Sequence, residues 1–157
     1  FVGRCGLDPP ACGRGGDRLG SFDLVTGAAQ RASTVVYDRQ HTSFATSGAD
    51  DYDWSRILDG AAWFHFSGTA AALGESVRGA LREGLQQARD AGVTVSCDLN
   101  YRARMWRPQE ARAEWHRPAP YLDLPFPTEE HPAPSDELPA ARSRVAPARP
   151  PRLAAAL

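Results

Sequence analysis

Val93-Thr-Val-Ser-Cys-Asp-Leu-Asn-Tyr-Arg-Ala-Arg-Met-Trp106 is a valine-rich β-run that empties into three polar groups, Asp98, Asn100 and Arg102, spaced two apart. Side chains alternate between faces in extended backbone, so this spacing predicts that the three project together. Just upstream, Gly74–Ala91 places Val77, Ala80, Leu81, Leu85, Ala88 and Ala91 at intervals of three and four, the pattern of a helix with one buried face. Gly92 follows where a left-handed C-terminal cap is expected. Further back, Ala62-Trp-Phe-His-Phe66 is an apolar run suited to a strand buried on both faces, ended by Ser67-Gly68. Strand, helix and strand in this order predict a right-handed βαβ unit. Its two strands are then parallel, which brings Ser67-Gly68 close to Asp98–Arg102 on one sheet edge. In open α/β sheets, ligands bind beyond that carboxyl edge.

Working outward, Ser21–Val25 and Thr34–Arg39 read as strands, and Asp51 or Asp53 is placed to cap a short helix over Arg56–Leu58. Pro108–Trp115 suits one more short helix, with proline in its first turn. Ten of the 13 prolines then fall between Pro118 and Pro151, a density that forbids a continuous helix or a central strand. The reading of the chain is therefore an irregular stretch at 1–19, a folded α/β part at 20–116, and a Pro/Arg/Ala-rich disordered tail at 117–157.

Composition excludes several classes of function. A net charge of −1 over 157 residues gives no electrostatic case for nucleic acid or an anionic membrane. No apolar run reaches membrane-spanning length, and no charged-then-apolar leader opens the sequence. Cys5, Cys12 and Cys97 form an odd, scattered set without metal-site spacing, which makes a reducing, cytoplasmic setting the expectation. All 18 basic residues are arginine, the imprint of a GC-rich coding sequence. Such DNA read out of frame also yields Arg, Pro, Ala and Gly, so both ends are candidates for out-of-frame translation.

Few residues carry chemistry by spacing alone. Tyr37 and Arg39, two apart on a strand, put a phenol beside a guanidinium, which suits a carboxylate or a hydroxylated sugar; an amphipathic edge strand with a snorkelling arginine has the same pattern. Asp98, Asn100 and Arg102 suit either a ligand or a capped turn. Gly13-Arg-Gly-Gly-Asp17 has the glycines of a phosphate loop but neither the strand before it nor the helix after it. His65 reads as a hydrogen-bonded core histidine, and Trp63 and Trp106 as packing residues. No catalytic or metal-ligating set emerges.

Three segments together carry a resemblance. Gly27-Ala-Ala-Gln-Arg-Ala-Ser-Thr-Val-Val-Tyr-Asp-Arg39, Trp63-Phe-His-Phe-Ser-Gly68 and Asp98-Leu-Asn-Tyr-Arg-Ala-Arg-Met-Trp106 resemble, in order and spacing, the middle of a PfkB-type (ribokinase-like) carbohydrate kinase, closest to the 2-keto-3-deoxygluconate kinases. The likeness runs from about Gly20 to Trp115. It implies a partial ribokinase-like α/β fold with parts of a small β lid, and transfer of the ATP γ-phosphoryl group, with Mg2+, to a sugar acid. By the same resemblance Tyr37, Arg39, Thr69 and Arg102 are substrate-binding, whereas Phe22 stands where these kinases tend to have another substrate tyrosine.

The family's amino-terminal Gly-Gly motif and its carboxyl-terminal Asp-Thr-x-Gly-Ala-Gly-Asp signature are not in this sequence. The expectation is a truncated or frame-disrupted kinase that keeps part of the sugar pocket, lacks residues for ATP and is inactive alone. The alternatives are a non-catalytic sugar-acid binding module and a kinase part specific for another sugar, such as fructose or ribose. Oligomeric state is left open.

Overall fold

A computed structural model of the chain describes residue 13, residues 15–126 and residues 153–154. An antiparallel ribbon pairs β1 (Ser21–Val25) with β2 (Thr34–Asp38), setting Phe22 opposite Tyr37. Through α1 (Ser43–Thr46), a 3-10 turn at Ala49–Asp51 and α2 (Trp54–Leu58), the ribbon leads into β3 (Trp63–Ser67). The short α3 (Gly68–Ala71) and the 16-residue α4 (Glu75–Asp90) then carry the chain to β4 (Thr94–Asp98). After α5 (Pro108–Trp115) and a 3-10 turn at Ala119–Tyr121 come β5 (Leu124–Phe126) and the two-residue β6 (Leu153–Ala154). The four later strands form one parallel sheet in the order β5-β4-β3-β6.

The expected βαβ unit is there, and its physical cause is the stripe on α4. That helix buries Val77, Ala80, Leu81, Gly84, Leu85 and Ala88. Phe64 pairs with Val95 and Phe66 with Cys97, so these four share one sheet face, and they join Leu81, Leu85 and Ala88 in a single core cluster. Each large side chain buried fully contributes about 1.5–3 kcal/mol relative to exposure. Stability therefore resides here and not in the ribbon, where Phe22, Leu24, Val25, Val36 and Tyr37 are exposed. At the end of α4, Gly92 takes φ +70°, the left-handed step that lets the chain turn into β4. At its own start α2 is capped by Asp53, which accepts the Arg56 N–H at 3.1 Å.

Two expectations differ from the structure. β3 is buried on one face only: Phe64 and Phe66 are enclosed, while Trp63, His65 and Ser67 are half-buried. The second face holds a small polar cluster in which Trp63 Nε1 donates to Ser96 Oγ at 2.7 Å and His65 Nδ1 meets the same oxygen at 2.7 Å. Order also continues beyond residue 116. Ala119 and Leu122 are buried, and β5 pairs with β4 even though Pro125 lies in it. Pro125 is tolerated because β5 is a short edge strand, where a missing N–H donor costs least. Asp123 secures the join: its backbone N–H donates to Val95 O and its carboxylate accepts the Val95 N–H, each at 2.9 Å. The rest of the expected tail, apart from residues 153–154, lies outside the described residues, as does most of 1–19. Among the described residues no helix is long and apolar enough to cross a membrane.

Candidate functional site

The site forms where β3 and β4 end side by side, with Ser67 the register partner of Asp98. Ser67 closes β3 and caps α3, its hydroxyl accepting the Thr69 N–H at 3.4 Å. Gly68 is required at this corner, because a Cβ there would collide with Leu99 O and the ring of Trp115. Across the edge, Asn100 adopts φ +37° and its backbone N–H returns to Asp98 Oδ1 at 3.0 Å. Its side-chain Nδ2 donates to Ser67 Oγ at 3.2 Å, and Ser67 Oγ lies 3.1 Å from Thr69 Oγ1. The two strand ends are thus tied by direct hydrogen bonds, as their parallel arrangement predicts.

The expectation that Asp98, Asn100 and Arg102 share one extended face does not hold. β4 stops at Asp98, and the left-handed step at Asn100 breaks the alternation. Tyr101 is buried, and Arg102 is exposed at the head of a turn in which the Met105 N–H donates to Arg102 O at 2.9 Å. Asn is among the residues that enter this left-handed region most readily, and that tolerance was the available signal for it.

From the other side comes the ribbon. Arg39 follows β2 and stacks its guanidinium 4.2 Å from the ring centroid of Tyr37. Arg39 Nη1 reaches Met105 Sδ at 3.6 Å, linking the ribbon to the loop after β4. Among the described residues its partners are an aromatic face and a thioether, with no carboxylate paired to it. Both contacts are weak for a cation, so the charge stays available to an anion. A cavity of about 290 Å³ opens between ribbon and sheet edge, lined by Phe22, Tyr37, Arg39, Thr42, Thr69 and others. Three of the four predicted contacts, Tyr37, Arg39 and Thr69, therefore converge on one cavity. Arg102 is not in its lining and connects to it only through the turn to Met105. Ser67 and Met105 adjoin the cavity through Thr69 and Arg39, without having been singled out as contacts.

Other features carry less. A concavity of about 490 Å³ lined by Trp54, Gly60, Ala61, Gln87 and Val93 sits at the amino ends of β3 and β4, the edge opposite to the one where ligands bind. Burial pushes the Cys97 thiol far up, with the Asp98 carboxylate adding to it, so this cysteine is packing and not a nucleophile. Among the described residues no group of three or more His, Cys, Asp or Glu is placed to hold a metal. Of the glycine-rich run, residues 15–17 lead toward β1 and not into a helix. Neither feature supplies, among the described residues, a phosphate loop or a metal cluster.

No family model matches the chain. It is 36% identical over 107 residues to a 2-dehydro-3-deoxygalactonokinase of Haloferax volcanii, an alignment covering 68% of this chain and 33% of that protein. The crystal structure of a 2-dehydro-3-deoxygluconokinase from Thermotoga maritima superposes with a TM-score of 0.78 at 44% identity, over 83% of this chain and 40% of that one. A PfkB family carbohydrate kinase from Listeria grayi gives a TM-score of 0.74 at 35% identity, over 79% and 39% respectively. The chain thus spans a third to two fifths of the length of the proteins it matches. These relatives and structural neighbours are PfkB-family carbohydrate kinases, with 2-keto-3-deoxy sugar-acid kinases among them, and the chain carries part of their ribokinase-like α/β fold.

Proposed function

We propose that this chain supplies the sugar-acid-binding part of a kinase of the 2-keto-3-deoxygluconate type. The observation that carries this is the convergence of Tyr37, Arg39 and Thr69 on one cavity at the carboxyl edge, with Arg39 unpaired to any carboxylate among the described residues. In this reading Arg39 takes the carboxylate of the sugar acid, Tyr37 orients the guanidinium by its ring and offers its phenol, and Thr69 bonds an oxygen of the ligand. Arg102, exposed one turn from Met105, adds a second positive charge on the family resemblance. A sugar acid satisfies this set better than fructose or ribose, because neutral sugars leave both guanidiniums without an anion. ATP and Mg2+ are the donor and cation that the relatives' phosphoryl transfer implies, held by residues other than those described, and the setting is cytoplasmic.

Calorimetric titration of the chain with 2-keto-3-deoxygluconate tests the reading. Saturable binding that Arg102→Ala weakens, with no sustained ADP release when Mg-ATP is added, is the expected result. Absence of binding, or fructose and ribose binding as tightly as the sugar acid, overturns it.

A further inference from the structure

The hydrogen-bond arithmetic at Ser67 indicates which of the Ser67 and Thr69 hydroxyls donates to the other. A serine hydroxyl has one proton to give and two lone pairs to accept with. Ser67 Oγ accepts from Asn100 Nδ2 at 3.2 Å and from the Thr69 backbone N–H at 3.4 Å, which fills both lone pairs. Its own proton is then directed to Thr69 Oγ1, 3.1 Å away. Thr69 Oγ1 then receives a hydrogen bond from inside the protein and is left with its own proton to give, in a residue that lines the cavity.

We infer that Asn100 and Ser67 form a relay that sets Thr69 as a hydrogen-bond donor toward the ligand, selecting an acceptor oxygen, a carbonyl or carboxylate, over a hydroxyl proton. Asn100 is a positioning residue in this scheme: it acts through Ser67 and does not line the cavity. Its backbone explains why the amide arrives at the right place. At φ +37°, anchored by the N–H to Asp98 Oδ1 at 3.0 Å, the residue turns its side chain back across the edge to β3. A non-glycine residue held in this region is a local cost that persists where the surroundings fix it.

The inference rests on reading the cavity as a sugar-acid site, and its test separates the two. Asn100→Asp keeps the side-chain shape but replaces the donor with an acceptor, so Ser67 turns its proton toward the introduced carboxylate and away from Thr69. The affinity for 2-keto-3-deoxygluconate is expected to fall on the order of tenfold. In a Thr69→Val background the same change is expected to cost nothing further, because the relay has no terminus; a merely structural role for Asn100 would cost the same in both backgrounds. Asn100→Gly, which suits the left-handed backbone, controls for folding: it is expected to lose affinity while its thermal transition stays at least as high. Equal losses in the two backgrounds, or no loss, overturn the relay. If the unaltered chain binds no sugar acid, the proposed function fails and the relay is judged on the free protein. The Asn100 side-chain amide proton resonance should then move upfield in Ser67→Ala, and an unmoved resonance overturns it.

Discussion

The guanidinium of Arg39 lies 4.2 Å from the ring centroid of Tyr37, and the same side chain reaches Met105 Sδ in the loop after β4. A planar, delocalised cation stacked on an aromatic face is pre-aimed, whereas an ammonium on a flexible stem is not. Arg39→Lys is therefore expected to weaken sugar-acid binding by about 1.5–3 kcal/mol, the range for hydrogen bonds to charged groups. Its thermal transition should be unchanged, since the residue packs outside the core. Titration calorimetry with a melting curve on each sample checks both halves.

Gly68 and Gly79 make opposite predictions for the same substitution. A Cβ at position 68 would strike Leu99 O and the Trp115 ring, while one at position 79, inside α4, meets only Arg82 Nη2 at 4.0 Å. Gly68→Ala is expected to destabilise by about 1–3 kcal/mol through overpacking. Gly79→Ala should stabilise by roughly 0.5–1 kcal/mol through helix propensity. Urea unfolding of the two variants reads the sign directly.

Asp53 gives a pH signature. The Ser55 hydroxyl, and after it the Arg56 N–H, hydrogen-bond its carboxylate and hold it below the ordinary carboxylate range. A carboxyl group whose pKa is depressed on folding stabilises above its unfolded-state pKa, and that contribution disappears as pH falls through the folded-state value. The stability advantage over Asp53→Ala should accordingly be full at neutral pH and shrink in acid. Denaturation midpoints measured in parallel down the acid range test this; an advantage that grew in acid would refute it.

Cys97 is fully enclosed in the core, and its thiol is held protonated by burial and by the neighbouring Asp98 carboxylate. Thiolate is the reactive form, so iodoacetamide should leave Cys97 untouched in the folded chain and modify it once urea is added. Peptide mapping by mass spectrometry separates this residue from Cys5 and Cys12.

What the sequence disclosed follows from which forces are local. The three-and-four spacing of Val77, Leu81, Leu85 and Ala88 is intrinsic to one helix, and with flanking strands it defined the βαβ unit and the sheet edge. The two-residue spacing of Tyr37 and Arg39 likewise survived into the ribbon and its end. Hidden from such reading were contacts with distant partners that no local pattern marks. β5 contains a proline and gains its place only by pairing with β4 and through the clamp between Asp123 and Val95. The half-exposed face of β3 is set by the bonds of Trp63 and His65 to the distant Ser96, which an apolar run cannot reveal. Asn100 was read by its alternation with Asp98, yet its side chain bonds Ser67, 33 residues away.

The antiparallel ribbon gives the cavity an uneven constitution. Two strands alone are marginal in water, and this pair exposes nearly all its side chains, while β3 and β4 sit over a closed core. One wall of the proposed site thus rests on a closed core and the other on an exposed two-stranded ribbon, so ligand affinity there would include the free energy of ordering that ribbon. Hydrogen exchange would show the asymmetry: a bound sugar acid should slow the amides of residues 21–25 and 34–38 far more than those of 63–67 and 94–98. In that reading, substitutions that stiffen or loosen the two-stranded arm would change affinity without touching the ligand.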